Sequence, residues 1–505
     1  MSERQTSPMR VAIVGGGTAG WMAAAALSKY FGDQLAVTLI ESEAIGTIGV
    51  GEATIPQIRL FNSGLGIDER EFLRETSATI KLGIKFIGWH REGHSYFHSF
   101  GDVGRKIGTL PFYQYWLRYH QEGGELDLEA FSPGTLAAKH GLYGPGKTSA
   151  RMPASAYHFD ASKYAGFLRR YAEERGTQRI EGIVEGWDQH PESGHITRLH
   201  LDRERAVETD LILDCTGMRA LLIGQALGVA YEDWSHWLPC DRAWAVPSEG
   251  NGRLDPFTRS TAREAGWQWQ IPLQHRTGNG HVFSQSHISE ERAADQLMAN
   301  LPGAALADPR LIKFQTGRRA KFWDKNVVAI GLSSGFLEPL ESTSIHLIQS
   351  GIARIVSLFP DRSFAASQQE EYNAQMAFEF RAIRDFLILH YNSTQRDTSE
   401  FWNYCRTMPL PDSLSQKLDL FDATGQIVRF NTELFDIASW LQVMWGQGRR
   451  PKHFHPMVRA VPTEDLGRYI SLNAQETQAQ IGALGPHEAY IRRMCAPGKA
   501  SVRPG

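Results

Sequence analysis

Short β-branched runs closed by glycine recur along the first two thirds of the chain, and helical spacing dominates the last third. Arg10-Val-Ala-Ile-Val14 is an apolar run of strand length, and such a run bounded by turn residues reads as a buried strand. A glycine loop, Gly15-Gly16-Gly17-Thr18-Ala19-Gly20, follows it. Then come an alanine-rich apolar helix from about Trp21 to Tyr30 and a second strand, Val37-Thr38-Leu39-Ile40-Glu41, ending on an acid. Strand, loop, helix, strand predicts a βαβ unit with a parallel pair. Leu211 to Asp214 before Cys215-Thr216-Gly217, and Asn326 to Ile330 before Gly331, repeat the strand-to-glycine pattern.

Residues 80–89 alternate, which predicts one strand with Lys81, Gly83 and Lys85 on one face and Leu82, Ile84 and Phe86 on the other, a helix being the other reading. A Gly- and Pro-containing stretch at about 100–150 reads as a lobe-forming insertion. Tyr157 to Asp160 leads into a helix from Ala161 to Arg175. Ile345, Ile348, Ile352, Ile355 and Phe359 have helical spacing and predict an amphipathic helix over Ser342 to Phe359. From about Glu370 the chain reads as mostly helical, and the tail after Ala496 as disordered. There is no internal repeat and no low-complexity tract.

At 505 residues the chain exceeds one compact core, so two or three lobes are expected. Net charge is −3, which provides no overall field for nucleic acid or an anionic membrane. The four cysteines, Cys215, Cys240, Cys405 and Cys495, have neither metal-ligand nor redox spacing, and a reducing cytosol is the expected compartment. The N-terminal segment reads neither as a signal peptide nor as a membrane span. His453-Phe454-His455 has no acid or cysteine at ligand spacing, so no metal is expected.

The glycine loop satisfies G-x-G-x-x-G with Gly15, Gly17 and Gly20. These glycines permit the tight turn, the approach of backbone to a pyrophosphate, and close strand–helix packing; the helix N-terminus adds amides and positive potential. Glu41, at the second strand's end, suits ribose hydroxyls. No second such loop follows, so electrons are expected as ready-made reduced flavin from a separate NAD(P)H-dependent reductase. Further along, Glu341-Ser342-Thr343-Ser344 precedes a helix whose first amides lack internal acceptors. They form an anion site, or else Ser342 or Thr343 simply caps the helix. Trp267 and Trp269 share a strand face and can wall a dry tunnel, or serve as ordinary packing. A lysine such as Lys81, taken alone, is usually a solvated surface residue.

Four strings together resemble the flavin-dependent halogenases of the tryptophan halogenase family: the glycine loop, Ala78-Thr-Ile-Lys81, Trp267-Gln-Trp269-Gln-Ile271-Pro272, and Glu338-Pro-Leu-Glu341-Ser-Thr343. The resemblance runs from Val11 to about Pro456. It implies an α/β fold: a Rossmann-like FAD-binding domain of the GR2 monooxygenase type with a β-sheet substrate layer (residues 1–370, with inserted segments at about 85–160 and 220–320). A mostly helical C-terminal lobe (371–505) would cover the substrate pocket. It implies that reduced FAD and O2 oxidise chloride or bromide to hypohalous acid, which a tunnel leads to an electron-rich, indole-type aromatic. Lys81 and Glu341 match the catalytic pair. Gly15, Gly16, Gly17, Thr18, Ala19, Gly20, Glu41, Ser42, Glu52, Val184, Leu332 and Ile345 match flavin contacts, with Glu52 in the second glycine turn, Gly49 to Pro56. Thr343 and Ser344 match the halide site, although Ser344 stands where the family has glycine, which tolerates backbone angles that serine resists.

Trp267, Trp269, Ile271 and Pro272 match the tunnel, and His98 and Phe100 the substrate pocket. The paired tyrosine and following glutamate that clamp free tryptophan have no counterpart in Ser439 to Gly448. A substrate without an amino-acid backbone is therefore expected. Neither nucleic acid nor membrane is an expected partner, the cytoplasm is the expected location, and a homodimer stays open. An aromatic hydroxylase and a catalytically silent flavin-binding protein are the other readings.

Overall fold

The computed structural model describes residues 7–44, 51–106, 108–146 and 151–496. Gly49 and Val50 of the second glycine turn, and the tail from residue 497, lie outside the described residues. A six-stranded sheet runs in the order Trp323–Asp324, Val327–Ala329, Leu211–Asp214, Met9–Val14, Leu35–Glu41, Gln178–Glu181. Every pairing is parallel except the hairpin at the Trp323 edge. Alternate residues feed two cores, as a sheet covered on both faces requires. Val11 and Ile13 pack with the alanine-rich helix Thr18–Phe31, whereas Ala12 and Val14 pack with Ile196 and Leu199.

A seven-stranded sheet stands beyond it, in the order Arg310–Lys313, Arg242–Ser248, Thr277–Phe283, Gly266–Pro272, Thr258–Arg263, Gly83–Ile87, Ser95–Ser99. A small third sheet pairs Gly51–Ala53, Ala156–Asp160 and Thr79–Lys81, in that order. The alternating stretch 80–89 therefore divides between two sheets instead of forming one strand. The break falls at Leu82, whose N–H donates to the Pro256 carbonyl and whose carbonyl accepts from Phe100 N–H. Lys81 and Lys85 consequently leave in different sheets.

The helix Ala366–Asn392 drives its apolar second half, Phe386 to Leu389, into the core with no exposure at all. Shorter helices follow at Glu400–Thr407, Asp412–Thr424, Ile437–Gly446, Thr463–Gly482 and His487–Cys495. They fold back on the 100–150 segment: Arg118 donates to the Val458 and Val461 carbonyls, and Leu484–Pro486 pairs with Leu142–Pro145. Among the described residues, no helix is long and apolar enough to cross a membrane, and no cluster of His, Cys, Asp or Glu is placed to hold a metal.

Gly83 seats the first of the two strands that carry Lys85 and His98. A Cβ there would stand 2.4 Å from the His98 carbonyl oxygen and 2.6 Å from Ser99 Cα, both backbone atoms that cannot step aside. Gly83→Ala is expected to lower stability by about 1–3 kcal/mol, the usual cost of overpacking. Chemical denaturation against the wild-type chain measures this.

Candidate active site

The glycine loop and the strands around it enclose a cavity of about 950 Å³, at the upper end of the range for cofactor-sized ligands. Gly15 to Ala19, Glu41, Ser42, Glu52, Val184, Leu332, Ser344 and Ile345 all line it. Two of the glycines are demanded by sterics. Gly15 sits at φ +113°, and a Cβ on it would lie 2.2 Å from the Cys215 carbonyl oxygen; a Cβ on Gly20 would lie 1.9 Å from the Gly15 carbonyl oxygen. The helix beginning at Thr18 has no side chain capping its first amides, which leaves them for a phosphate. Glu41 turns back over Gly16, and Arg179 Nε donates to it at 2.5 Å. These features fit FAD: a naked helix start for the pyrophosphate, an acid for the ribose, and an apolar wall of Val184, Leu332 and Ile345 for the ring system. Burial raises the Glu52 carboxyl to about 7, so it is partly protonated at neutral pH. Cys215 also opens onto the cavity; burial and the neighbouring Asp214 push its thiol well above the ordinary value.

At one end of the cavity the chain makes the 3-10 turn Pro339–Glu341, and the helix then starts at Ser344 rather than Ser342. Ser342 delays it by adopting a left-handed conformation (φ 60°, ψ 38°), which a non-glycine residue holds only where its surroundings enforce it. Capping does not account for the serine-threonine string: Thr343 is the helix N-cap but makes no side-chain cap bond, and its Oγ1 is buried without a partner. Ser344 has none of the positive φ that would demand glycine, so its presence causes no backbone strain.

Ser342 lines the cavity, and its Oγ accepts a hydrogen bond of 2.7 Å from Lys81 Nζ. Lys81 has no solvent exposure. Burial lowers its pKa to about 7, against an opposing pull from Glu341. Much of the lysine is therefore the neutral amine near pH 7. Nζ also lies 5.3 Å from the centroid of the Phe100 ring. Glu341 is 1 % exposed and is held between two histidines. His98 Nδ1 stands 2.8 Å from Oε2, and His390 Nε2 stands 2.8 Å from Oε1. Burial opposes ionisation of Glu341, but the His98 charge and the contacts with both histidines outweigh it and hold the carboxyl down to about 2. His390 Nδ1–H donates to the Phe386 carbonyl, and its Nε2, although close to Glu341 Oε1, is not aligned to form a hydrogen bond.

Trp267, Trp269 and Ile271 share one face of the strand Gly266–Pro272, yet only Trp269 and Ile271 reach the cavity. Trp269 presses on the opposite strand at Gly280, where a Cβ would stand 2.1 Å from its ring. Trp267 lies deeper, its ring centroid 6.0 Å from that of Trp269. Its Nε1 donates at 2.7 Å to Glu338 Oε2, which also accepts from Tyr391 OH at 2.7 Å. Burial raises the Glu338 carboxyl to about 7 despite these two bonds. Pro272 serves through its carbonyl, which accepts from Thr79 Oγ1 at 2.7 Å.

The structure thus gathers Lys81, Glu341, His98 and Phe100 about Ser342, which itself lines the cavity that the glycine loop encloses. Sequence reasoning missed three contributors. Ser342 reads from the sequence only as a cap, between the singular Glu341 and Thr343. His390 lies 49 residues beyond Glu341 near the end of a long apolar helix and carries no local signal. Glu338 was legible only as part of its string.

The chain matches the family model described as tryptophan halogenase over residues 10–463. It is 37% identical over 447 residues to tryptophan 6-halogenase SttH of Streptomyces toxytricini, which covers 82% of this chain and 84% of the relative. Among solved structures, a flavin-dependent halogenase from Xanthomonas campestris superposes with a TM-score of 0.94 at 46% identity, covering 97% of this chain and 99% of the other. BrvH, a flavin-dependent halogenase from a Brevundimonas species, gives 0.92 at 45% identity, covering 96% and 99%. The chain belongs to the tryptophan halogenase family. It is an oxidoreductase that works with reduced FAD, O2 and a halide, the reduced flavin coming from a separate reductase.

The lowered pKa of Lys81 is also a statement about stability. A lysine whose folded value is about 7 against an ordinary 10.5 destabilises the fold below pH 7. The penalty fades as pH rises towards 10.5, because the unfolded chain binds the extra proton throughout that window. Lys81→Met is expected to be more stable than the wild-type chain at pH 7, with the difference shrinking by a few kcal/mol as pH approaches 10. Paired denaturation curves at a series of pH values test this.

Proposed function

We propose that this enzyme halogenates an indole-type aromatic lacking an amino-acid backbone, with Lys81 delivering the halogen and Glu341 aligning the oxidant and accepting the proton leaving the ring. One observation carries the reading: Lys81 is wholly buried, about half neutral near pH 7, and bonded to the one serine separating it from the FAD cavity. Bound FAD, reduced and exposed to O2, would supply the oxidising equivalents that turn a halide into hypohalous acid. The residues around it do the rest. Thr343 and Ser344, at an uncapped helix start, would hold the halide. Trp269 and Ile271 exclude bulk water and organic substrate from the cavity wall. The neutral amine of Lys81 holds the hypohalous acid by a hydrogen bond, or displaces its oxygen, forming an N–halogen bond as the O–halogen bond breaks and water leaves. Phe100 and His98 border the aromatic ring, and Glu341 takes up the released proton.

The substrate assignment rests on the helix Ile437–Gly446. It carries no charged side chain, and Gln442 is already spent on the main chain of Ser99, accepting from its N–H and donating to its carbonyl. Nearby, Lys417 and Glu433 neutralise each other in a buried pair at 2.8 Å. Neither that helix nor that pair leaves a charge free to clamp a zwitterion, whereas relatives at 37% and 34% identity are named as tryptophan halogenases. We divide the chain at about residue 370 and place the enzyme in the cytoplasm beside an NAD(P)H-dependent flavin reductase.

A panel of indole, substituted indoles, phenols and free tryptophan, with reduced FAD and each halide, is to be read by mass spectrometry. Indoles should acquire halogen in preference to tryptophan, and preference for tryptophan overturns the substrate assignment. Oxygen in place of bromine in the product mass would indicate a hydroxylase instead. Lys81→Ala should lower halogenated product by about 10²-fold or more while reduced flavin is oxidised at the wild-type rate.

A further inference from the structure

We propose that His487, at the start of the last helix, is a positioning residue for Lys81. The inference rests on the reading of Lys81 given above and extends it to a residue some four hundred positions away. The strand Thr79–Lys81 forms one edge of its three-stranded sheet. It pairs with Ala156–Asp160 on the inner side, leaving Ile80 N–H to point outward where no strand follows. Ile80 has no solvent exposure, so water cannot satisfy that donor, and a buried orphan amide beside the reactive lysine would be costly. His487 Nε2 accepts it at 3.1 Å.

The other ring nitrogen, Nδ1, lies 2.8 Å from the Leu254 carbonyl oxygen. A carbonyl only accepts and an amide N–H only donates, so one arrangement of the ring satisfies both bonds: neutral, with its hydrogen on Nδ1. Burial favours that form and lowers the His487 pKa to about 4, against the opposing pull of the Leu254 bond and of Glu488 and Asp255. The histidine is itself held at every side. Its own N–H donates to the Gly141 carbonyl, Glu488 Oε1 accepts from Leu254 N–H, and the preceding Leu484–Pro486 pairs with Leu142–Pro145. On the far side of Lys81, Leu82 N–H donates to the Pro256 carbonyl at 2.7 Å. Both neighbours of Lys81 are therefore tied to the segment 254–256, Leu82 directly and Ile80 through His487. Lys81 cannot slide along its strand or rotate out of line with Ser342 unless one of these ties breaks.

Two substitutions separate positioning from bulk packing. His487→Gln keeps an acceptor at the reach of Nε2; His487→Asn keeps a donor near Nδ1 but falls short of Ile80. The full-length variants are to be compared by halogenated product formed per reduced FAD oxidised, with a soluble oxidant trap counting escaped hypohalous acid. The Asn variant should oxidise reduced FAD normally but lose product per flavin by about tenfold to a hundredfold, with trapped oxidant rising in step, while the Gln variant stays within about twofold of wild type. Equal losses in both, or no loss in Asn, overturn the proposal. An Asn chain isolated only unfolded leaves Gln to decide: a folded Gln protein that has lost tenfold in coupling is fatal to the idea. A second readout is independent of activity: acylation of Lys81 by a water-soluble reagent, quantified by mass spectrometry, should rise several-fold in Asn and remain at the wild-type level in Gln. Should the wild-type chain halogenate nothing, the reading of Lys81 fails while this labelling contrast still judges the role of His487.

Discussion

The structure depends on keeping an amine that gives up its charge near neutrality in a place that water does not reach. Desolvation alone would make Lys81 a liability, and three arrangements make the site tolerable. Ser342 supplies an acceptor, Glu341 a restrained counter-charge, and the two flanking peptide groups are satisfied by atoms distant in sequence. Glu341 presents the inverse problem. A carboxylate with 1 % exposure is affordable only because two imidazoles meet its two oxygens. The two buried groups thus titrate well apart for different reasons, Glu341 at about 2 and Lys81 at about 7, as an acid–base pair working at neutral pH needs.

Placement of that pair is an outcome of how three sheets meet. The parallel sheet brings the glycine loop to the nucleotide cavity. The small sheet supplies Lys81, and the antiparallel sheet supplies His98 from one strand and Trp269 from another. Glu341 and Ser342 arrive between strand and helix, in a turn whose left-handed serine points its hydroxyl at the lysine. The C-terminal helices close the far side with His390 and fasten the lysine strand through His487.

What could be read from the sequence and what could not divide along physical lines. The βαβ unit was legible because a fully buried parallel strand is apolar throughout and its loop needs glycine for steric reasons visible in the residue names. Lys81 and Glu341 were legible through rare strings. The division of residues 80–89 was not, because alternation encodes a face and not the sheet to which that face belongs; the strand breaks where Leu82 bonds to Pro256 and Phe100 instead. The delayed helix start was hidden for a related reason: helical spacing from Ile345 onward is the same whether or not Ser342 turns left-handed. Ser342, His390 and His487 act through contacts with residues 261, 49 and 407 positions away, and no local pattern announces such partners.

An enzyme that releases an electrophilic halogen inside itself endangers its own sulfur. Cys215 opens onto the cavity in which that oxidant would arise, and sulfur reacts fastest as the anion. Its thiol is held protonated by burial and by the adjacent Asp214. The remaining cysteines are likewise pushed upward by burial. Low reactivity of the protein's own nucleophiles leaves one amine as the preferred target, so the selectivity of the chemistry comes as much from what has been silenced as from what has been activated.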